Sequence, residues 1–389
     1  MDVARVAKVK QDEREKEYYD KYIGIYDTAI AYLKERDILL YGGLALDQYM
    51  PDHLKIYSKH TLPDIDMFSS TAKKLANDLA AHLKRAGYKL VNVGTAISHD
   101  STFKVFAEGL PIADVSQLSS KDIERLGKGG RKGSLGLPLV GPEFIRFTLH
   151  AMLGTSSIER WEKVASRMVN FYKVFAPVKT NGDLADFIET PSDELASINN
   201  DVHVYTESST VKCVLLGTPV ISMMLGRKPD VPAFKNVPYN IAIVDGNPLT
   251  YAKQMVHAIG LDGRLAVSHL HKANDILIQP EHVIVTHKKT CTPVAILFHA
   301  KDKCFGYNEF KGRYVATIHV VLMIYMSMLL NHEAHFAKMS ETVECIVNAL
   351  SRVQRQAKRR SKILTQFSVT CLGTEHGLAT LRRKRFGFE

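Results

Sequence analysis

Three aspartates and one pair of glycines are the residues of this chain whose types and spacing could do chemistry. Asp64 and Asp66 lie in Leu62-Pro63-Asp64-Ile65-Asp66-Met67-Phe68, and Asp114 closes the apolar run Pro111-Ile112-Ala113-Asp114. In a strand, residues i and i+2 share a face, so Asp64 and Asp66 project side by side while Ile65 and Met67 point to a core. A third carboxylate from a neighbouring strand completes a cluster that is unfavourable by itself. Two unit charges 4 Å apart repel by about 1 kcal/mol in water and about 4 kcal/mol at an effective dielectric near 20. Divalent cations remove that penalty, and carboxylate oxygens are the ligands Mg²⁺ prefers. Two such ions form the clamp used for in-line phosphoryl chemistry.

Gly42 and Gly43 fit the same chemistry. They join the short strand pattern Ile38-Leu39-Leu40-Tyr41 to the helical pattern Leu44–Met50. A Gly-Gly junction lets backbone N–H groups approach a phosphate with no side chain between, and the helix N-terminus adds positive potential. Taken singly, Gly-Gly is a tight turn and D-x-D a solvated strand edge. In this order, with a later Asp ending an apolar strand, they make one constellation.

The elements that must hold these residues can be read around them. Gln11 to Glu35 is a helix rich in Tyr and charge. Ser69 or Ser70 is placed to cap a helix with Leu75, Leu79 and Leu83 on one face, ended by Gly87. Strands are expected near 89–93, 102–107 and 112–117. The loop Gly127–Ser134 fails the P-loop spacing and reads as a mobile basic loop, placed to touch RNA. Pro142 opens a helical region reaching about Val174. The polar stretch 177–202, with Asn181-Gly182 and Pro191, reads as a linker or crossover.

The constellation resembles the nucleotidyltransferase superfamily of DNA polymerase β, whose pattern is an apolar residue, Gly-Gly or Gly-Ser, a spacer, then D-x-D or D-x-E. Twenty residues separate Gly43 from Asp64, longer than the common form. That longer version is similar to the poly(A) polymerase catalytic subunits of large cytoplasmic DNA viruses. Tyr41-Gly42-Gly43-Leu44-Ala45, Leu62–Ser69, Thr102-Phe103-Lys104 and Arg160-Trp161-Glu162-Lys163-Val164 followed by Arg167 carry the likeness, over roughly residues 38–175.

The resemblance implies template-independent addition of AMP from ATP to RNA 3′ ends, with two Mg²⁺ or Mn²⁺ ions held by Asp64, Asp66 and Asp114. Gly42 and Gly43 would cradle phosphates. Arg160, Lys163 and Arg167 recur at helical spacing, either to reach the triphosphate or RNA or as a solvated helix face. RNA and ATP are the implied partners, with a homodimer or a viral processivity subunit, such as the methyltransferase-like partner of the poxvirus branch, completing the set. The implied setting is the host cytoplasm, in the viral factory, with packaging in the virion as a further expectation. The rivals are a CCA-adding or antibiotic-modifying nucleotidyltransferase and a non-catalytic RNA-binding module. The Glu-Asp-x-x-Arg signature of one CCA-adding class is absent, which counts against the first.

Composition agrees with an anionic partner. The net charge is +10 and the sequence pI about 9.2. Residues 351–389 hold ten Lys/Arg against two Glu, including the run Arg382, Arg383, Lys384 and Arg385. This segment is either a solvated basic tail or a surface that tracks an RNA backbone. The five cysteines are scattered without a C-x-x-C, which reads as reduced thiols rather than a disulfide framework or zinc site. Met1 to Lys16 is charged and lacks the apolar core of a signal peptide. The single long apolar run, Tyr314 to Leu330, reads as a buried helix, so no membrane partner is expected. Asn331-His332-Glu333-Ala334-His335 has its histidines three apart, the wrong spacing for a zinc-protease helix.

The later half repeats the first. Residues 39–50 (LLYGGLALDQYM) align with 214–225 (VLLGTPVISMML) at an offset of 175, placing Gly217 on Gly42 and Thr218 on Gly43. The same offset carries Asp64 onto Tyr239 and Asp66 onto Ile241. Asn247-Pro248 then reads as the cap and first position of a helix ending near Gly260. Pro293-Val294-Ala295-Ile296 is the counterpart of Pro111–Asp114 after a small length change. The expected fold is therefore α+β, with two nucleotidyltransferase-like domains, each a mixed sheet flanked by helices, the second degenerate. The expected boundaries are a helical segment 1–38, a catalytic domain 39–176, a linker 177–202 and a degenerate domain 203–389 with the basic C-terminal segment.

Overall fold

The computed structural model of the chain describes residues 3–96, 101–155, 158–177, 184–227, 233–274, 279–301, 303–331, 333–356 and 368–374. The chain divides into two compact units, one of residues 1–146, 169–175 and 377–389, the other of residues 147–168 and 176–376.

The first unit contains α1 (Val3–Leu33), β1 (Leu39–Leu40), α2 (Gly42–Tyr49), β2 (Ile65–Ser69), α3 (Ala72–Arg85), β3 (Asn92–Thr95), β4 (Thr102–Ala107), β5 (Leu110–Gln117) and α4 (Ser120–Gly127). Helices α5 (Pro142–Gly154) and α6 (Ile158–Val174) are divided between the units. The sheet runs β1-β2-β5-β4-β3, with β2 and β5 parallel and the other neighbours antiparallel. Ile65, Met67, Val105 and Val115 point into a core closed by α3, whose Leu75, Leu79 and Leu83 are buried at helical spacing. Each such leucine contributes about 1.5–3 kcal/mol relative to an exposed one.

Three local expectations are corrected here. Helix α3 is not capped by Ser69 or Ser70. It starts after Thr71, and the Gln117 side chain, arriving from β5, accepts the Ala72 N–H at 3.0 Å. Strand β3 begins at Asn92 rather than Lys89 because Leu90 adopts φ +48°, which breaks extended backbone. The basic loop after α4 is anchored, not free. The Gln48 side-chain oxygen accepts from Ser134 Oγ at 2.6 Å and from Leu135 N–H, Arg131 donates to Gln48 C=O at 3.2 Å, and Arg131 lies over the Tyr49 ring.

The second unit continues with β6 (Ile188–Glu189), α7 (Asp193–Ser208), β7 (Cys213–Leu215), α8 (Thr218–Met224), β8 (Ala233–Phe234), β9 (Asn240–Val244), α9 (Pro248–Ala258), β10 (Leu265–Val267), β11 (His282–His287), β12 (Pro293–His299), β13 (Phe305–Phe310), β14 (Arg313–Ala316), α10 (Ile318–Leu330), α11 (Ala334–Ala337), α12 (Ser340–Gln356) and β15 (Cys371–Leu372). Its main sheet has the order β10-β11-β12-β9-β7-β14-β13-β15.

Within that sheet, β7-β9-β12-β11-β10 repeats the order and strand directions of β1-β2-β5-β4-β3. The repeat extends to single backbone contacts. Leu39 pairs with Phe68 and Leu40 with Met67, while Val214 pairs with Ile243 and Leu215 with Ala242, each shifted by 175. Tyr41 N–H donates to Asp66 C=O at 3.0 Å, and Leu216 N–H donates to Ile241 C=O at 2.9 Å. Asn247 caps α9 through its side chain and Pro248 is its first residue.

Other expectations change in this unit. The stretch read as a linker contains helix α7, capped by Ser192 and buried along Ile198 and Val202. The apolar run Tyr314–Leu330 is split: β14 ends at Ala316, Thr317 caps the helix, and α10 is buried along almost its whole length. Among the described residues, no helix is long and apolar enough to cross a membrane. The cysteines are not all reduced thiols. Pairing of β13 with β15 sets Gly306 opposite Cys371 and brings Cys304 and Cys371 to a Cα separation of 5.3 Å, where they form a disulfide.

Candidate active site

Strands β2 and β5 run parallel with Asp66 opposite Asp114. Parallel pairing at that register puts both side chains on one face of the sheet, away from the core-facing Ile65 and Met67. Asp64 immediately precedes β2, two residues from Asp66, and is exposed; Asp66 and Asp114 are half-buried. The closeness of Asp64 and Asp66 registers on Tyr26 of α1. Its hydroxyl is held well above the ordinary tyrosine range, first by burial, then by the charges of Asp64, Tyr57 and Asp66.

Gly42 opens α2 directly against this face. It has φ +71°, and a Cβ there would lie 2.4 Å from Asp66 Oδ2. Only glycine satisfies both the backbone angle and the approach. Gly43 follows, buried, in the first turn of α2. Tyr41, the residue before, stacks on Phe68 with ring centroids 4.1 Å apart and shares a hydrogen bond of 2.9 Å with Ser116 Oγ. Burial, then Asp66 and, more weakly, Asp114, hold the Tyr41 hydroxyl protonated far above neutral pH. Ser116 also bonds Thr102 Oγ1 at 2.7 Å, which ties β5 to β4 beside Asp114.

The long spacer between Gly43 and Asp64 has its own anchor. The Asp47 side chain accepts from the Ile56 and Tyr57 N–H groups at 2.8 and 3.2 Å and pairs with Lys55 at 3.3 Å. The returning chain is thereby fixed before it enters β2.

Several contacts here escaped the sequence reading, which named Lys104 only within Thr102-Phe103-Lys104. Lys104 stands opposite Asp114 across β4–β5, and its ammonium forms an ion pair with Asp114 Oδ2. Tyr18, Tyr22 and Tyr26 recur every four residues on α1. Tyr18 and Tyr22 meet edge to face, and Tyr18 also feels the charge of Asp64. The four-residue tyrosine spacing was the available signal; nothing local to Lys104 marks its partner.

Arg160, Lys163 and Arg167 fall on α6 at helical spacing, in the part assigned to the second unit. Arg382, Arg383, Lys384 and Arg385 lie outside the described residues. At the matching place in the second unit, Ile241 pairs with Ile296, both buried, and Tyr239 stands where Asp64 does. Gly217 is retained there because a Cβ would fall 2.4 Å from the Tyr239 carbonyl oxygen.

The donor set of the first unit is all oxygen, three carboxylates on adjoining backbone, which suits hard divalent cations such as Mg²⁺. One of those carboxylates already carries a cationic group, the Lys104 ammonium.

Comparisons with known proteins agree with this geometry. Residues 27–157 match the family model "Poly(A) polymerase catalytic subunit". A protein of African swine fever virus, described as a candidate poly(A) polymerase catalytic subunit, is 32% identical over 122 residues, 31% of this chain and 24% of that protein. A mimivirus protein of the same description is 26% identical over 200 residues, 49% of this chain and 33% of that protein. The matched stretch thus spans about a quarter to a third of these relatives. The crystal structure of the Megavirus polyadenylate synthase superposes with a TM-score of 0.78 at 16% identity, covering 100% of this chain and 83% of that one, which establishes a shared fold. Through residues 27–157, the region that holds Gly42, Asp64, Asp66 and Asp114, the chain is similar to the viral poly(A) polymerase catalytic subunits.

Proposed function

We propose that this chain is a polynucleotide adenylyltransferase that adds AMP from ATP to RNA 3′ ends without a template. The observation that carries the reading is the parallel register of Asp66 and Asp114, with Asp64 two residues ahead and the Gly42 backbone against the Asp66 carboxylate. Such a face suits the concentration of divalent cations that present phosphate oxygens.

Asp64, Asp66 and Asp114 would hold Mg²⁺ or Mn²⁺, which when bound neutralise charge on the attacking 3′-oxygen and on the triphosphate. The chain's own groups do the rest. Gly42 and Gly43 present backbone N–H groups, and at Gly42 a side chain would collide with Asp66. Lys104 compensates Asp114 and places a positive charge beside the reacting phosphates. Tyr41, half-buried and stacked on Phe68, keeps β1 and β2 fixed under the site. Arg160, Lys163 and Arg167 supply further positive charge for triphosphate or RNA. Arg382, Arg383, Lys384 and Arg385 bind the RNA backbone, and a second copy or a viral processivity subunit extends the tail. The second unit is a degenerate copy that supports RNA binding rather than catalysis, and the setting is the host cytoplasm.

The test is incorporation on an RNA primer with each NTP supplied separately, with Mg²⁺ or Mn²⁺. AMP addition in strong preference is expected. Preferential CMP addition would reject the poly(A) reading in favour of a CCA-adding enzyme, and no incorporation with either ion would leave a binding module.

A further inference from the structure

A cluster in the second unit uses residues that the nucleotidyl-transfer chemistry leaves idle. His271, His282, Glu333 and His335 each offer one ligand atom, and these atoms all lie within 4.8 Å of one another. His271 and His282 form an antiparallel bridge through their backbones, and their rings stack with centroids 4.7 Å apart. Glu333 arrives from the turn between α10 and α11, and His335 from α11 itself. His282 Nε2 lies 3.4 Å from His335 Nε2, His271 Nδ1 2.9 Å from Glu333 Oε2, and His335 Nδ1 3.6 Å from the same oxygen. With metal–ligand bonds of about 2.0–2.1 Å, neighbouring ligands of a tetrahedral zinc ion stand about 3.3 Å apart. His335 can offer only one of its two nitrogens, so one of its two spacings is not a ligand–ligand distance; the 2.9 Å His271–Glu333 spacing and the 4.8 Å limit on the whole set bracket that value.

The surroundings orient the donors as they do at built metal sites. His282 Nδ1 faces the Pro280 carbonyl at 3.3 Å, so that nitrogen carries the proton and Nε2 presents its lone pair to the cluster. Asn331 donates to Glu333 Oε1 at 3.3 Å and accepts the Glu333 N–H at 3.0 Å, which leaves Oε2 turned to the histidines. Phe298 and Phe336 pack against the fully buried His282 and close the apolar side.

We propose that His271, His282, Glu333 and His335 form a four-coordinate site for a divalent transition-metal ion of the zinc class, separate from the carboxylate site. Imidazole nitrogen selects Zn²⁺ over Mg²⁺. With four protein ligands the site is closed, which makes it structural: the ion staples the 271–282 bridge to the α10–α11 turn. Glu333 and His335 come from the Asn331–His335 segment whose spacing excluded a zinc-protease helix. The other two ligands come from more than fifty residues earlier, where no motif search would join them.

The test uses the full chain, stripped with a chelator and titrated with Zn²⁺ against a chromophoric competitor in excess Mg²⁺, which occupies the carboxylates. One equivalent of Zn²⁺ should bind, Co²⁺ in its place should give the strong visible absorption of four-coordinate cobalt, and either ion should raise the thermal midpoint. Glu333→Gln and His335→Gln, at partly exposed ligands, should each weaken Zn²⁺ binding by about 100-fold or more, and Asn331→Ala by about 10- to 100-fold. Metal-free melting curves of the variants report on folding separately. A wild-type chain that binds no Zn²⁺ in excess Mg²⁺, or gives the weak spectrum of six-coordinate cobalt, overturns the site. So do folded ligand variants that bind as tightly as wild type, which would leave the cluster a hydrogen-bonded polar group.

Discussion

Adding a single methyl group at Gly42 should slow AMP addition about 10²-fold while leaving the protein folded. In Gly42→Ala the new Cβ falls 2.4 Å from Asp66 Oδ2, 3.1 Å from its Cγ and 3.2 Å from its Cβ. Carbon–oxygen contacts settle near 3.3–3.6 Å, so the Asp66 carboxylate must retreat by about 1 Å. A misplacement of that size costs about 10²-fold in rate, or about 2.7 kcal/mol of barrier. The φ of +71° adds a separate cost of about 1–2 kcal/mol in stability for an L-residue. Gly87→Ala separates the two effects. Gly87 has φ +94° and nothing within 4 Å of a Cβ, so this variant carries the backbone cost without the collision. Both variants should melt about 2–8 °C lower, yet only Gly42→Ala should lose turnover in single-turnover AMP incorporation at saturating primer. Near-normal turnover by folded Gly42→Ala, or an equal loss in Gly87→Ala, would refute the placement of Asp66 in the reacting centre.

Asp64→Ala, Asp66→Ala and Asp114→Ala should each lower incorporation by at least about 10²–10³-fold in the same assay, with the fold retained by circular dichroism. Tyr239→Asp with Ile241→Asp should not restore activity to an Asp66→Ala chain. It should also destabilise the second unit by about 3 kcal/mol or more in urea unfolding, because Ile241 is 1% exposed and the new charge is unpaired. His319 is fully buried and desolvation holds it down to about 3, whereas the unfolded ring titrates near 6.5. The unfolded state therefore takes up the proton first as pH falls. Its contribution is intact above pH 6.5 and is lost below at about 1.4 kcal/mol per unit, so His319→Gln should flatten the urea-measured slope between pH 6.5 and 5 by that amount. Changing Arg382, Arg383, Lys384 and Arg385 together to Ala should make log primer affinity less steep in log salt by about 0.7 for each phosphate no longer neutralised, with little change in rate at saturating primer. Identical slopes would remove that segment from RNA binding.

What was legible in the sequence was what local spacing encodes. D-x-D before a strand, Gly-Gly between strand and helix, and an Asp at the end of an apolar run each bind function to a backbone conformation. The offset of 175 survived because strand pairing converts a constant shift in sequence into a constant shift in register. What stayed hidden depends on segments that meet only in the folded chain. Lys104 reaches Asp114 only once β4 and β5 pair; Cys304 and Cys371 meet only through β13 and β15. Gln117 caps α3 from another strand, and Gln48 holds a loop that glycine and lysine content alone marks as loose. The histidine cluster combines both failures, since its sequence fragment fits no helical zinc motif and its ligands come from a bridge and a turn.

Strands β2 and β9 are one piece of architecture in two chemical versions. Where the first sheet sets Asp66 beside Asp114, the second sets Ile241 beside Ile296. Two buried isoleucines contribute about 3–6 kcal/mol that the first sheet forgoes, and its like charges add repulsion besides. The molecule thus contains its own reference state: the apolar sheet shows what this fold is worth when it is relieved of chemistry. The difference between the two is the stability surrendered for reactivity, so Mg²⁺ on the carboxylates should firm the first sheet, whereas Ile241 and Ile296 give the same place in its twin no charge to relieve.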